Sequence, residues 1–262
     1  MTDMVKQANG GSLAVVNLRD DSRKGAEEIK SEDISTPILK ILHQLSPECN
    51  QRDAKYVEGS KPGMIYASSL GQLIDGESKG IDIVVAHAQT RYPEWQERGD
   101  SASAPVGTHM QIPADAVEER NGRYRLPNGN YVEKTAYFYV IVVSGDESRP
   151  AVIPMRSSNL SPARELNNLI TNLRMTDSKG TFQPAAYAAM FNLKTVGKTA
   201  GSKSWHVYKP SKVRMLDMSK AEDATLYIAA QELQKTVAKG SLLNQNMRRQ
   251  KKLLTLSNSL WE

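Results

Sequence analysis

The run from Lys134 to Ser144 constrains the fold more than any other part of the chain. It reads Lys-Thr-Ala-Tyr-Phe-Tyr-Val-Ile-Val-Val-Ser, so β-branched and aromatic residues fill it and neither glycine nor proline interrupts it. Residues of these types favour a pleated, partly buried surface. The run therefore predicts a long strand, and the face that carries Phe138 and Val140 is its better candidate for the core side.

The segments on both sides of this run are typical of antiparallel pairing. Before it, Arg123–Leu126 is followed by a Pro-Asn-Gly turn at 127–129 and then by Tyr131, which together predict a hairpin. After it, a turn at 145–146 leads into Arg149–Arg156. That return strand contains two prolines, which place it at an edge or a bulge because proline cannot donate to a sheet ladder.

Shorter patterns predict the remaining elements. Thr36 as N-cap, Pro37 at the first helical position and an apolar stripe predict a short helix over 34–45. Two further helices are predicted over 161–174 and 220–239. A glycine-rich loop is predicted at 197–202. The further predicted strands are Gly63–Ser69, Ile81–Thr90, Ala188–Val196 and Lys203–Tyr208.

This order of elements predicts a mostly β protein with helices, of the α+β class. An OB-like five-stranded barrel with an extra hairpin, a helix before the last two strands and a C-terminal helix fits the order, and a split α+β sheet fits it as well. The predicted organisation is a flexible N-terminal arm (1–33), one domain (34–239) and a flexible basic C-terminal tail (240–262).

Composition and charge exclude several classes of protein. No apolar run in the 262 residues approaches the roughly 18 residues that a membrane span needs, and no apolar segment of the kind found in secretory signals stands at the start. The single cysteine excludes a disulfide framework. We therefore expect a protein without membrane contact that works in a reducing cytoplasm. The net charge of +5 is modest, so a surface for a polyanion has to be local.

Catalysis is not predicted. The four histidines lie far apart without metal-ligand spacing, carboxylates such as Asp82 and Glu94 are scattered, and no nucleophile elbow occurs. The segment 197–204 lacks the lysine of a phosphate-binding loop and joins two strands, so it does not open a helix. We expect no enzymatic activity, no cofactor and no metal.

Three segments mix cationic and aromatic residues, as single-strand binding by stacking and phosphate contacts requires. The first is 89–98, where Pro93 is expected to interrupt pairing and leave a loop. The second is 194–209, and the third is the pair Tyr137 and Tyr139 on one strand face. Each has a packing alternative: Trp95 as a lid on the barrel, a solvated hairpin tip, and partly buried tyrosines.

Several motifs also resemble, in this order, a family of tailed-bacteriophage single-stranded DNA-binding proteins with an OB-type core. The motifs are Ser35–Glu48, Lys55–Ile65, Tyr92–Trp95, Met155–Ser158 and Gly201–Trp205, and the resemblance covers about residues 34–210. It implies a protein that coats single-stranded DNA during phage replication, recombination and repair in the host cytoplasm. The predicted nucleic-acid-binding residues are Arg91, Tyr92, Trp95, Arg98, Tyr137, Tyr139, Arg156, Lys194, Lys198, Lys203, Trp205, Tyr208 and Lys209.

The C-terminal tail departs from many such proteins, which end in an acidic run with a terminal aromatic. Here the aromatic is present, but the preceding residues are basic. Phage members with basic tails are similar, and for them the resemblance implies recruitment of phage DNA polymerase, recombination proteins or host RNA polymerase. The predicted partner-binding residues are Arg248, Arg249, Lys251, Lys252 and Trp261. The alternative function is a protein–protein adaptor whose DNA contact is incidental.

Overall fold

A computed structural model describes residues 36–97, 105–119, 122–144 and 147–239. The predicted arm, Arg98 and the predicted tail lie outside these residues. The described elements are, in chain order, β1 (Leu39–Ile41), β2 (Ile65–Ala67), β3 (Gln72–Ile74), β4 (Ile81–Trp95), β5 (Gly107–His109), β6 (Val117–Glu118), β7 (Arg123–Arg125), β8 (Tyr131–Glu133), β9 (Thr135–Ser144), β10 (Glu147–Arg156), α1 (Leu160–Thr171), β11 (Met175–Asp177), β12 (Gly180–Phe182), β13 (Ala189–Ala200), β14 (Lys203–Met215) and α2 (Ala221–Ala238).

The predicted central strand is confirmed as β9, which pairs antiparallel with β10 on one side and with β4 on the other. The first part of β4 also pairs with β13, and β13 pairs with β14, so five antiparallel strands follow in the order β10-β9-β4-β13-β14. The prediction for the two prolines is also confirmed, because β10 forms an end of this sheet. Between Pro150 and Pro154, the Val152 N–H donates to the Pro37 carbonyl oxygen at 2.8 Å.

The sheet curls into an antiparallel half-barrel with a layer on each side. One face, which includes Phe138 and Val140, packs against β1, β2 and α1 in the main core. The other face, which includes Val84 and Ile141, packs against Leu226 and Ala230 of α2. Side chains that alternate along β9 thus reach two different cores, which explains why its sequence is apolar at almost every position.

The second half of β4 leaves this sheet and pairs with β5 and β8, and β8 continues to β7 and β6. The predicted hairpin is therefore confirmed as β7–β8. The predicted interruption at Pro93 is wrong, because Pro93 pairs opposite Thr108 and the strand runs on to Trp95. The fixed φ of proline is compatible with an extended strand, and only one ladder donor is lost.

The predicted helix over 34–45 is wrong. Residues 39–41 form β1, which pairs with β2, and Leu39 and Ile41 are buried while Lys40 between them is half-buried. Leu45, which a helical stripe would bury, is 95% exposed. The apolar residues fit a strand period as well as a helical one over so short a run, and pairing with β2 decides between them.

The predicted loop at 197–202 is also shorter than expected. Residues 197–200 belong to β13 and pair with 203–206 of β14, so the turn consists of Gly201 and Ser202 alone. Gly201 has a φ of +57°, which a two-residue hairpin turn requires and which glycine adopts without strain. β13 is therefore longer than predicted, and β14 runs beyond its predicted end to Met215.

The α+β class is confirmed, with two helices close to the predicted ranges. The described strands do not close into a barrel, because β10 and β14 end the five-stranded order and no ladder joins them in the described residues. The OB-type closure is thus not confirmed. Neither described helix is long and apolar enough to cross a membrane.

Candidate functional site

An open cleft of about 770 Å³ lies where the ends of β4, β7, β8 and β10 approach the turn end of β14. It brings together two predicted residues, Arg156 and Lys203, that come from separate segments of the sequence. A third, Trp95, lies beneath Arg156. The residues that line the cleft are Glu97, Arg123, Tyr131, Glu133, Arg156, Ser157 and Lys203.

Two rings, each covered by a guanidinium group, form the cleft's aromatic part. Trp95 and Tyr131 are direct cross-strand neighbours on β4 and β8. The Arg156 guanidinium carbon lies 4.7 Å from the centre of the Trp95 ring, and that of Arg123 lies 3.5 Å from the centre of the Tyr131 ring. Cation–π contacts of this kind fix both arginines, and a guanidinium plane can itself stack on a base.

Two carboxylates in the cleft differ in their partners. Arg125 binds the exposed Glu97 and also donates to Glu119 at 2.7 Å, and its hydrogen bond lowers the pKa of Glu97. Glu133 is 13% exposed and lies 3.6 Å from an Arg156 nitrogen, and its register places it opposite Arg123. Burial raises the pKa of Glu133, while the positive charges of Arg156 and Arg123 act against that shift.

Hydrogen bonding in the cleft is incomplete. The Trp95 Nε1–H and the Arg123 Nε–H are buried donors without an acceptor among the described residues. The Glu133 carboxylate is 13% exposed, and among the described residues it makes the 3.6 Å ion pair with Arg156 but accepts no hydrogen bond. Buried polar groups are normally paired. The two buried donors are covered by protein, whereas the Glu133 carboxylate can accept from a ligand or water in the cleft.

Backbone strain is also present at the cleft wall. Ser157 has a φ of +51°, and it is the one residue other than glycine with a positive φ in the described ranges. It links β10 to the helical turn before α1. Such conformations cost about 1–3 kcal/mol and concentrate at binding sites, so this strain marks the same place as the unpaired polar atoms.

Glu94 positions the β7–β8 hairpin that carries Arg123 and Tyr131. Its carboxylate accepts hydrogen bonds from the side-chain amides of Asn130 at 2.6 Å and Asn128 at 3.2 Å, and His109 Nε2 lies 2.8 Å away. The Asn130 hydrogen bond is the largest cause of the lowered pKa of Glu94. These hydrogen bonds attach the predicted Pro-Asn-Gly turn to β4. They thereby position the Tyr131 ring relative to the Trp95 ring.

A second cationic surface follows the β13–β14 ribbon. Lys194 pairs opposite Lys209, and Lys198 pairs opposite Trp205, so their side chains share one face with the Val196–Val207 pair between them. We call Lys194, Lys198 and Lys209 the lysine face. All three are exposed, and none has an ion-pair partner among the described residues. Lys203, on the same side, also lines the cleft and connects the two surfaces.

Two predicted stacking tyrosines are buried, so a base cannot stack on either in this structure. Tyr139 is 1% exposed because it packs beneath Val237 of α2, and its hydroxyl accepts from Gln89 at 2.9 Å. Tyr208 is 3% exposed in the main core, where burial raises its pKa. Tyr137 is half-buried and packs against the cluster of Tyr139, Val152 and Val237.

The remaining predicted residues lie away from the cleft or outside the described residues. Arg91 is half-buried and donates to the carbonyl oxygen of Thr90, and Tyr92 lies on the opposite strand face from Trp95. Arg98 and the predicted partner-binding residues Arg248, Arg249, Lys251, Lys252 and Trp261 lie outside the described residues and stay predictions.

Sequence reasoning missed Arg123, Tyr131 and Glu133, although it predicted the hairpin that carries them. A signal was available: residues 123 and 133 are equally far from the centre of the Pro-Asn-Gly turn, which pairs them across the hairpin. The described residues contain no group of three or more histidine, cysteine, aspartate or glutamate side chains that could hold a metal ion.

Comparison with known proteins shows the family of the chain. A family model described as Pam3 phage gp34-like protein matches residues 6–242, which is about nine tenths of the chain. No curated protein and no solved structure matches.

Proposed function

We propose that this chain, which belongs to the Pam3 phage gp34-like protein family and is thus a bacteriophage protein, binds single-stranded DNA without enzymatic activity. The observation that carries this proposal is the cleft in which Arg156 lies over Trp95, Arg123 lies over Tyr131, and Lys203 stands at the rim. Flat cationic groups held on rings suit stacked bases, and free lysines suit phosphates.

The dimensions of the surface favour a single strand over a duplex. The rings of the cleft lie beneath arginines, so a base has to leave a helical stack to reach them. The lysine face continues from Lys203 along an extended ribbon, which suits a backbone that runs past the cleft. The resemblance to phage single-stranded DNA-binding proteins supports the same proposal. We also propose that the five-stranded sheet is related to the OB-type core of those proteins.

Titration of the full chain with fluorescein-labelled dT15, and with a duplex of the same length, tests this function. We expect tryptophan fluorescence to be quenched by the single strand, with binding at least tenfold tighter than to the duplex. The affinity should fall steeply as salt rises from 50 to 200 mM, because phosphate contacts release counterions.

Two results would count against the proposal. Equal or tighter binding to the duplex would point to a different mode of DNA binding. No measurable binding to any oligonucleotide at 50 mM salt would favour the adaptor alternative, in which the partner is a protein of the phage replication or transcription machinery.

A further inference from the structure

Glu133 is an unusual group to find in a surface for a polyanion. Its carboxylate is largely buried, it stands between two arginines, and no described donor hydrogen-bonds to it. A buried carboxylate without hydrogen bonds is costly, and a negative charge beside phosphates adds repulsion. Its ion pair with Arg156 offsets part of this cost, and a ligand that supplies hydrogen-bond donors would satisfy its oxygens.

We propose that Glu133 makes the cleft selective for guanine among the bases of a bound single strand. This inference rests on the proposed function and adds a base preference to it. The Glu133 carboxylate would accept from guanine N1–H and from the guanine amino group in two parallel hydrogen bonds, while the base plane stacks along the Arg156–Trp95 side of the cleft.

The other three bases fit this acceptor less well. Thymine presents one N–H between two carbonyl oxygens, and both oxygens would face the carboxylate. Adenine and cytosine each present one amino group beside a ring nitrogen that accepts, so only one hydrogen bond forms. Guanine alone offers two adjacent donors, and its O6 then lies on the side from which an arginine can donate.

The neighbouring charges are consistent with this assignment. Arg123 and Arg156 hold Glu133 in place without hydrogen-bonding to it, so both carboxylate oxygens remain able to accept. Glu97, the other carboxylate in the cleft, is bound by Arg125 and is much more exposed. Glu133 is therefore the acceptor that a base in the cleft would meet.

The test uses the full chain and fluorescein-labelled 15-mers of dT in which the central base is thymine, guanine, hypoxanthine, adenine or cytosine. We expect the central guanine to tighten binding by roughly tenfold relative to all-thymine DNA, the scale of one good bidentate contact. Hypoxanthine lacks the amino group and should show an intermediate affinity. Glu133→Gln should abolish the guanine preference, whereas all-thymine DNA should bind up to about fivefold more tightly because a negative charge is lost.

Glu97→Gln is the matched control, because it neutralises the other carboxylate of the same cleft and should keep the preference. Equal affinities for guanine and thymine in the wild-type protein would overturn the inference. So would a Glu133→Gln variant that binds all five oligonucleotides more tightly by one common factor, since Glu133 would then be only a counter-charge. Failure of the proposed function is distinguishable, because none of the oligonucleotides would bind.

Discussion

The cleft and the lysine face are both cationic, but they hold their charges in different ways. In the cleft, Arg123 and Arg156 lie on aromatic rings and stand beside Glu133. On the lysine face, three ammonium groups extend from an exposed ribbon, and no carboxylate pairs with them in the described chain. The rings hold the two arginines of the cleft in fixed orientations, which favours specificity. The exposed lysines attract a polyanion through interactions that weaken as salt rises.

Removal of the lysine face should have the largest effect. The triple variant Lys194→Ala, Lys198→Ala, Lys209→Ala leaves Lys203 and the whole cleft intact. Each phosphate contact with a single strand contributes about 0.7 to the slope of log affinity against log salt, so the slope should fall by about 2. Titrations with dT15 at four salt concentrations measure the slope, and the affinity at 50 mM salt should fall by at least tenfold.

A matched triple variant removes the same charge elsewhere, at Lys55, Lys179 and Lys212. These lysines are also exposed, and the register opposite Phe191 places Lys212 on the other face of β14. In this control variant, the slope of log affinity against log salt should differ from the wild-type slope by no more than about 0.5. Equal losses in both triple variants would mean that only net charge matters and that the lysine face has no special position.

The cleft should instead respond to pH. Burial raises the pKa of Glu133, so this carboxyl group takes up a proton at a higher pH than an ordinary glutamate does. As the pH falls through the pKa of Glu133, the cleft becomes more positive, and dT15 affinity should rise by up to about fivefold, the scale of one surface charge pair. Fluorescence anisotropy titrations at fixed ionic strength measure this change.

Lowering the pH should favour folding through Glu133, just as it should favour DNA binding. Since the pKa of Glu133 is higher in the folded protein than in the unfolded chain, its contribution to folding is more favourable below that pKa and decreases as the pH rises through it. Glu133→Gln should remove the Glu133 part of both pH dependences. An unchanged pH profile of dT15 binding in Glu133→Gln would assign the effect to another group, such as a histidine.

Much of the fold follows from local patterns, whereas the site depends on register. Residues 134–144 are so rich in strand formers that β9 could be predicted directly, and the Pro-Asn-Gly turn identified its hairpin partner. The short apolar run at 38–42 fits both periods, and only its pairing with β2 distinguishes them. The position at which a strand ends also depends on its pairing partners. The end of β4, for example, pairs with β5 and β8, and the periodicity of the β4 sequence does not reveal these partners.

The same limit explains which site residues were predicted. Trp95, Arg156 and Lys203 were recognised by residue type, but their meeting in one cleft depends on how three separate strand ends approach each other. Tyr208 alternates correctly with its neighbours, yet its face turns into the main core because the ribbon curls over α1. Residue type alone therefore cannot separate a stacking aromatic from a core aromatic.

Tyr208→Phe should have the smallest effect, and it tests the division between buried and exposed aromatics. The Tyr208 hydroxyl is buried without a hydrogen-bond partner among the described residues, so its removal leaves no group unpaired. The free energy of unfolding should stay the same or rise by about 1 kcal/mol, and dT15 affinity should stay within twofold.

Tyr139→Phe is the control, because it loses the hydrogen bond from Gln89 and should lower stability by about 1 kcal/mol. Urea unfolding and the dT15 titration measure both quantities. A Tyr208→Phe variant that keeps its stability but binds dT15 tenfold more weakly would show that Tyr208 leaves the core to contact DNA, and the boundary between core and site would then have to move.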